Sequence, residues 1–141
     1  MKVVDFLKED LEEYRQKISI LDSATMPYTG VYVTKAPDED FVSNVTLSRI
    51  ADEAVSVRGV QASFCIGRTS PHNIKICARS DGSVNVGILM EKIGDGKKGG
   101  GRFLAAAADF RDVHVDDVVE ELNKVLKDYL EDATNHNLST K

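Results

Sequence analysis

The sequence predicts a single α/β domain in which a small mixed β-sheet is covered by helices. Segments with apolar residues every three or four positions alternate along the chain with segments in which apolar and polar residues alternate. Two of the alternating segments flank a short turn, which is typical of an antiparallel hairpin. The length of 141 residues fits one domain, and no internal repeat is present. We therefore expect one domain over residues 1–132 and a polar C-terminal tail over residues 133–141.

The first predicted element is an amphipathic helix within residues 1–24, which would link or pack onto the rest of the domain. Its apolar side chains recur at alternating steps of three and four: Val4, Leu7, Leu11, Tyr14, Ile18 and Leu21. About three heptads of this kind also suit a short coiled coil, but a helix packed on the domain is the favoured interpretation. Asp22, Ser23 and Pro27 are stop signals for this helix.

The next elements are a strand, a helix and a hairpin. Residues 28–34 alternate around β-branched side chains and predict a strand. Ser43 or Asn44 can cap a second helix that ends at Gly59. Residues 60–67 and 73–80 then predict the two strands of the hairpin. The hairpin is expected to gather three basic residues near one side or end of the sheet: Arg68, Lys75 and Arg79.

The C-terminal half continues the alternation of helices and strands. Asn85 can cap a short helix after a turn at residues 81–82. The run LAAAADF after the glycines suits either a helix or a strand, and a strand through residues 110–113 is at least as consistent with the sequence. A clear amphipathic helix starts at Asp116 or Asp117, and the tail from Ala133 is polar and expected to fray.

Composition excludes several classes of function. The net charge of -5 argues against broad, salt-driven binding of nucleic acid or of a membrane surface. No window is long and apolar enough to span a bilayer, and the N-terminus lacks the pattern of a secretory signal. Cys65 and Cys77 are expected to be reduced and could face each other across the hairpin. The histidines and carboxylates form no recognisable metal-binding or hydrolytic motif, so a self-sufficient catalytic centre is not expected.

The stretch GDGKKGGGRF, residues 94–103, is the chemically distinctive part of the chain. Consecutive glycines allow backbone N–H groups to approach a phosphate, and an arginine offers a planar fork of donors. Gly99, Gly100, Gly101 and Arg102 supply both features, and Lys97, Lys98 and Arg79 could add positive charge. A mobile surface loop with solvated lysines explains the same residues equally well. The residues alone leave these two interpretations open.

A family resemblance favours the first interpretation. The stretch ICARSDGSVNVGILMEKIG, followed by GGGRFLAAAADF, resembles the C-terminal DHH-associated domain of bacterial DHH-family phosphoesterases. The likeness is greatest to the cyclic di-AMP phosphodiesterases of the GdpP type, and it extends over nearly the whole chain. The resemblance implies an active site built from two lobes. An N-terminal DHH lobe would hold two divalent metal ions, usually manganese, and the C-terminal lobe would bind the nucleotide.

The resemblance also assigns roles to individual residues. Arg79 and Ser80 match the ARS motif of the family, and Asn85 matches its NV asparagine, so all three are expected to face the substrate. Gly99, Gly100 and Gly101 match the glycine motif that holds phosphate or base. Ala106 and Ala107 match the paired alanines that pack behind that loop. Two departures stand out: Arg102 replaces the motif histidine, and DGKK is inserted before Gly99.

The expected function is therefore that of a substrate-binding lobe without metal or cofactor of its own, and inactive by itself. Its partners would be cyclic di-AMP or a short oligonucleotide, the DHH lobe of the same polypeptide, and a second copy in a homodimer. The resemblance implies a cytoplasmic domain without membrane contact, belonging to a full-length protein that is membrane-anchored in the GdpP type. The alternatives are the lobe of a DHH oligoribonuclease or bisphosphate nucleotidase, a non-catalytic nucleic-acid-binding module, and a degenerate lobe that only senses nucleotide or dimerises.

Overall fold

The computed structural model describes residues 10–93 and 99–139, with side chains described as far as Asp132. Within these ranges the chain forms four helices and one six-stranded mixed sheet, which confirms the predicted α/β class. The helices are α1 (Leu11–Asp22), α2 (Asn44–Val55), α3 (Val86–Lys92) and α4 (Val115–Ser139). The strands are β1 (Thr25–Tyr28), β2 (Val31–Lys35), β3 (Ala62–Ser70), β4 (Asn73–Ser80), β5 (Gly99–Gly101) and β6 (Ala105–Arg111).

The strands lie in the order β1-β2-β3-β4-β6-β5, so that the central hairpin β3–β4 is flanked on both sides. Strands β2 and β3 run parallel and are connected through α2, whereas every other neighbouring pair is antiparallel. A parallel pair needs such a crossover because its strands begin at the same edge of the sheet. The short edge strand β5 carries the three consecutive glycines.

Both faces of the sheet are buried, which explains why the central strands are apolar on both sides. Phe64 and Ile66 of β3 belong to the larger core, where α3 and α4 cover the sheet. Cys65 points to the opposite face and packs with α1 and α2. It lies directly across the hairpin from Cys77, as the sequence predicted. Both thiols are free and buried, and burial raises the pKa of Cys65 to about 12.

Two local predictions need correction, and one open alternative is resolved. Residues 28–34 do not form one strand, because a turn at Gly30, with φ +81°, separates β1 from β2. The ambiguous alanine run is the strand β6, whose small side chains Ala106 and Ala108 are buried in the larger core. Helix α4 begins at Val115 and continues through Ser139, so that residues 133–139, predicted as a polar tail, are helical.

The predicted gathering of all three basic residues is wrong, because the hairpin register separates Arg79 from Arg68 and Lys75. Arg68 pairs with Ile74 beside the hairpin turn, whereas Arg79 pairs with Ser63 at the opposite end of the same two strands. The alternating pattern showed which residues share a face of the sheet. It could not show how far along the hairpin each side chain lies.

Helix α1 contacts the domain, but only Leu21 of the predicted apolar stripe packs against the smaller core. Ile20 is buried in the smaller core, and Lys17 forms an ion pair of 3.3 Å with Glu53 of α2. Leu11, Tyr14 and Ile18 of the stripe are 62%, 45% and 46% exposed. The two first stripe positions, Val4 and Leu7, lie outside the described residues.

Candidate functional site

The two segments that carry the sequence motifs meet at one end of the sheet. The backbone N–H of Ser80 donates to the carbonyl of Leu104 at 2.9 Å, and the N–H of Val86 donates to that of Phe103 at 3.2 Å. Arg79 pairs with Ala105 in the β4–β6 register. We call the surface formed by residues 79–87 and 99–105 the motif end. The motif residues lie far apart in the sequence, but the sheet brings these two segments together.

Two polar side chains of the motif end hold local backbone structure. The Ser80 hydroxyl is buried and accepts hydrogen bonds from the N–H groups of Gly82 at 3.0 Å and Val84 at 3.3 Å. The Asn85 side chain caps α3 by accepting from the N–H of Ile88 at 3.1 Å. These contacts fix the turn and the start of the helix. Both side chains therefore have a structural task, independent of any ligand.

The glycine motif forms the edge strand β5, and it packs closely against α3. A Cβ at Gly99 would overlap the carbonyl oxygen of Met90, and one at Gly101 would lie 2.7 Å from Cα of Ala106. Gly101 pairs with Ala106 across the strands, which agrees with the expectation that small residues allow close packing here. Gly100 has φ +149°, a conformation that favours glycine. Steric fit therefore explains much of the glycine motif.

The two described cations of the motif end differ in their partners. Nε of Arg79 donates to Oδ1 of Asp52 at 2.8 Å, so its charge is compensated by α2. The Arg102 side chain is exposed and, within the part of the chain that the structure describes, has no hydrogen-bond or ion-pair partner. Lys97 and Lys98 lie outside the described residues. Of the two described arginines at the motif end, Arg102 is thus the one whose guanidinium can bind an anion without first losing a carboxylate partner.

An exposed apolar surface beside Arg102 was missed by the sequence reasoning. Phe103 and Leu104 are 47% and 53% exposed, and Ile88 on α3 is 38% exposed. The sequence did contain a signal for this surface. Phe103 and Leu104 directly follow the glycines and Arg102, and they belong to no helical or strand period. Asp81 adds a negative charge at the same end. The hydroxyl and the N–H of Ser83 donate to its carboxylate and lower its pKa.

A separate polar cluster lies at the opposite end of the sheet. The Asp38 carboxylate contacts Nδ1 of His114 at 3.0 Å, the N–H of Val115 at 2.8 Å and Nη2 of Arg68 at 2.8 Å. The His114 contact, followed by those of Val115 and Arg68, holds the pKa of Asp38 well below its usual range. The same hydrogen bond raises the pKa of His114. The cluster borders a shallow cavity of about 380 Å³.

Metal binding finds no support in the described ranges. Within residues 10–93 and 99–139, no group of three or more histidine, cysteine, aspartate or glutamate side chains could hold a metal ion. The imidazole rings of His72 and His114 contact one aspartate each, Asp112 and Asp38. The described residues therefore do not fit the two-metal centre that the family resemblance places on a separate lobe.

Comparison with known families decides the classification. Residues 26–132 match the family described as the DHHA1 domain. The chain belongs to the DHHA1 domain family. The resemblance inferred from the ARS…NV and glycine motifs is thereby confirmed, and these motifs lie in the two segments that form the motif end.

Relatives of this DHHA1 domain include enzymes that act on cyclic di-AMP. The chain is 31% identical over 129 residues to the cyclic-di-AMP phosphodiesterase GdpP of Geobacillus thermodenitrificans, covering 92% of this chain and 19% of that protein. It is 32% identical over 132 residues to the cyclic-di-AMP phosphodiesterase PdeA of Listeria monocytogenes, covering 94% of this chain and 20% of that protein. The chain thus spans about a fifth of the length of these relatives.

A solved structure supports the fold of the DHHA1 domain. An exopolyphosphatase-related protein from Bacteroides fragilis superposes with a TM-score of 0.70 and 17% sequence identity. The match covers 88% of this chain and 36% of that protein. Among the described helices, none combines the length and the apolar character that crossing a membrane requires.

Proposed function

We propose that this DHHA1 domain binds the substrate of a cyclic-dinucleotide phosphodiesterase, and that cyclic di-AMP is that substrate in the longer protein. The observation that carries the proposal is the exposed Arg102 at the motif end, which has no partner among the described residues and lies next to the glycine strand β5. Two relatives named as cyclic-di-AMP phosphodiesterases, about 30% identical over this domain, support the choice of nucleotide.

The chemistry of the motif end suits a small phosphorylated ligand with an aromatic base. A guanidinium matches two phosphate oxygens with parallel hydrogen bonds, and it stays protonated at every physiological pH. The half-exposed ring of Phe103 follows Arg102 directly and offers an apolar face to a purine. The acidic net charge of -5 disfavours a long polyanion, because 23 acidic residues outnumber 18 basic ones and repel it.

The proposed reaction divides between two lobes. Two divalent metal ions, held by a DHH lobe outside this chain, would supply the activated water that attacks the phosphodiester. Arg102 would bind a phosphate group, and Phe103 would orient the base, so that this domain contributes affinity and positioning. The arginine in place of the motif histidine would bind phosphate without titrating near neutral pH. Phosphate affinity at this position should therefore be independent of pH between about 6 and 8.

Titration of the 141-residue chain with cyclic di-AMP, followed by amide NMR, tests the proposal. We expect shifts of the amides of residues 99–104, and their loss in the Arg102→Ala variant. Arg111→Ala is the matched control, because Arg111 is exposed on the same sheet but lies beyond Asp109, at the other end of β6. The control variant should bind as the wild type does. Shifts confined to other surfaces, or unchanged binding by Arg102→Ala, would contradict the proposal.

Two further ligands separate the alternatives. Equal or stronger binding of the linear dinucleotide pApA would favour the lobe of an oligoribonuclease or bisphosphate nucleotidase. Binding of a long RNA that weakens steeply with salt would favour a nucleic-acid-binding module. Absence of any response would identify a degenerate lobe. Phosphodiesterase activity of this chain alone would overturn the division between two lobes.

A further inference from the structure

Helix α1 presents three apolar side chains that the described part of the domain leaves largely exposed, although Lys17 Nζ lies 5.4 Å from the centre of the Tyr14 ring. Leu11, Tyr14 and Ile18 are 62%, 45% and 46% exposed, although each is a large apolar side chain. Ile20, two positions beyond Ile18, is buried against α2 and the sheet. Residues i and i+2 of a helix point in directions about 200° apart, so Ile18 and its stripe face away from the domain that Ile20 contacts. A contiguous apolar surface of this kind marks a site of interaction.

The spacing of the stripe defines what fits it. Leu11, Tyr14, Ile18 and Leu21 follow steps of three, four and three, which are the a and d positions of a heptad. Leu21 packs partly against the smaller core, so the exposed row consists of Leu11, Tyr14 and Ile18. A row of this period packs against another helix with the same period, because knobs of one helix then enter holes of the other. The sequence continues the row towards the N-terminus with Leu7 and Val4.

The charges beside the stripe favour a second copy of the same helix. With Leu11 and Ile18 as a positions, Asp10 is a g residue and Arg15 is the e residue of the following heptad. In a parallel, in-register pair of helices, g of one chain faces that e of the other. Each Asp10 would then lie opposite an Arg15 of the other chain. The arrangement is repeated by symmetry, since an interface between two identical chains is self-complementary.

The second pair of flanking positions is compatible with this register. Lys17 is the next g residue, and Asp22 is the corresponding e residue, again of opposite charge. Lys17 already contacts Glu53 at 3.3 Å, so the argument rests on Asp10 and Arg15. Arg15 is exposed and Asp10 keeps its role as the N-cap of α1, accepting from the N–H of Glu12 at 2.8 Å.

We propose that two copies of this chain associate through α1 as a short parallel coiled coil, with Leu11, Tyr14 and Ile18 in the seam. The proposal is independent of nucleotide binding, because α1 uses none of the residues of the motif end. The pair would place two domains side by side, with their N-terminal ends together. In a longer protein this arrangement would also bring together whatever precedes the two helices.

Sedimentation of the 141-residue chain over a concentration series tests the association. We expect a reversible monomer–dimer equilibrium below about 1 mM, the weak end of measurable affinities. The Tyr14→Glu/Ile18→Glu variant should be monomeric, with an unchanged circular dichroism spectrum. The matched control is Met26→Glu/Val57→Glu, which introduces the same charge at positions 55% and 59% exposed but away from the stripe. The control should dimerise as the wild type does.

Two further variants test the register. Asp10→Asn keeps a capping side chain but removes the charge, so it should weaken the dimer at low salt and lose this effect at high salt. Ile18→Cys should form an intermolecular disulfide under mild oxidation, because equivalent a positions are opposed in a parallel pair. The native Cys65 and Cys77 are buried and do not interfere.

Three results would overturn the proposal. A folded chain that stays monomeric up to about 1 mM would show that something other than a second copy covers the stripe, such as a preceding part of a longer polypeptide. A dimer that persists in the Tyr14→Glu/Ile18→Glu variant would place the interface elsewhere. A dimer in which Ile18→Cys fails to cross-link would exclude the parallel register.

Discussion

Gly99 lies so close to Met90 that a Cβ on the glycine would overlap the methionine carbonyl oxygen. Gly99 lies on the edge strand β5 and Met90 in the last turn of α3. The Met90 carbonyl is a backbone group and a Cβ is fixed to its own backbone, so neither atom could rotate away. We therefore expect Gly99→Ala to lower the free energy of unfolding by about 1–3 kcal/mol or more, as overpacking does. Unfolding in urea, monitored by circular dichroism, measures the change.

A neighbouring substitution provides the control for Gly99. Ser83→Ala lies in the exposed turn before α3 and removes only the hydroxyl that donates to the exposed Asp81 carboxylate. Its effect should stay within about 0.5 kcal/mol. If Gly99→Ala were equally mild, the strand β5 would not be packed on α3 as the structure shows. The glycines would then be needed for a ligand and not for the fold.

The Asp38–His114 contact predicts a pH dependence of stability. The lowered pKa of Asp38 contributes stability above its usual pKa of about 3.9, which is lost as the pH falls through the lower folded-state value. The raised pKa of His114 contributes stability below about 6.5, which is lost as the pH rises through the folded-state value. This pair therefore stabilises the fold most between about pH 4 and pH 6.5, and the melting temperature should fall above that range.

Substitution of His114 tests this assignment. His114→Asn places an amide nitrogen near the position of Nδ1, keeps a hydrogen bond to Asp38 and does not titrate, so the alkaline decline should become shallower. His72→Asn leaves the Asp38 contact intact and should keep the decline. The effect will be small, because the His114 side chain is 78% exposed and solvent screens the pair. A decline that is the same in His114→Asn and the wild type would assign it to other groups.

The elements with the strongest local pattern were predictable from the sequence. In the hairpin, Phe64 and Cys65 point to opposite buried faces because successive residues of a strand alternate. Asn85 precedes an apolar helical period directly, and its side chain caps α3 as expected. The turn at Gly30 was missed because the residues on both sides of it continue one alternating pattern. Local patterns specify which face a residue takes, and they specify boundaries less well.

The candidate site depended on information that local patterns do not contain. The meeting of residues 79–87 with residues 99–105 was implied only by the family resemblance, since β6 lies between β4 and β5 in the sheet. The ion pair of Arg79 with Asp52 joins residues 27 positions apart, and no periodicity links them. For α1, the heptad spacing predicted a helix packed on the domain, whereas Leu11, Tyr14 and Ile18 are exposed. It could not say that the domain itself leaves that surface uncovered.

The larger core predicts a strong contrast between two phenylalanines. Phe64 is fully buried on the central strand β3, whereas Phe41 is 58% exposed in the loop before α2. Phe64→Ala should lower the free energy of unfolding by about 3–5 kcal/mol, because it leaves a cavity that the sheet cannot fill. Phe41→Ala should change it by about 0.5 kcal/mol or less. Urea unfolding of both variants measures the contrast, and similar losses would contradict the assignment of the core.

Asn85 offers a way to separate structural from ligand-binding roles at the motif end. Its side chain accepts from the N–H of Ile88, so Asn85→Ala should cost about 1 kcal/mol of stability through loss of the cap. Asn85→Asp keeps an accepting oxygen and should retain the stability of the wild type. Urea unfolding of the three proteins measures the effect on the fold.

Titration of the same three proteins with cyclic di-AMP then assigns the role of the side chain. If Asn85 acts only by capping α3, Asn85→Asp should bind nearly as well as the wild type. If its amide N–H groups donate to a phosphate, Asn85→Asp should lose binding at full stability, because a carboxylate has no donor and repels the anion. The Asn85 amide oxygen already accepts from Ile88, and the amide N–H groups have no partner among the described residues. The second outcome would therefore add Asn85 to Arg102 as a ligand-binding residue.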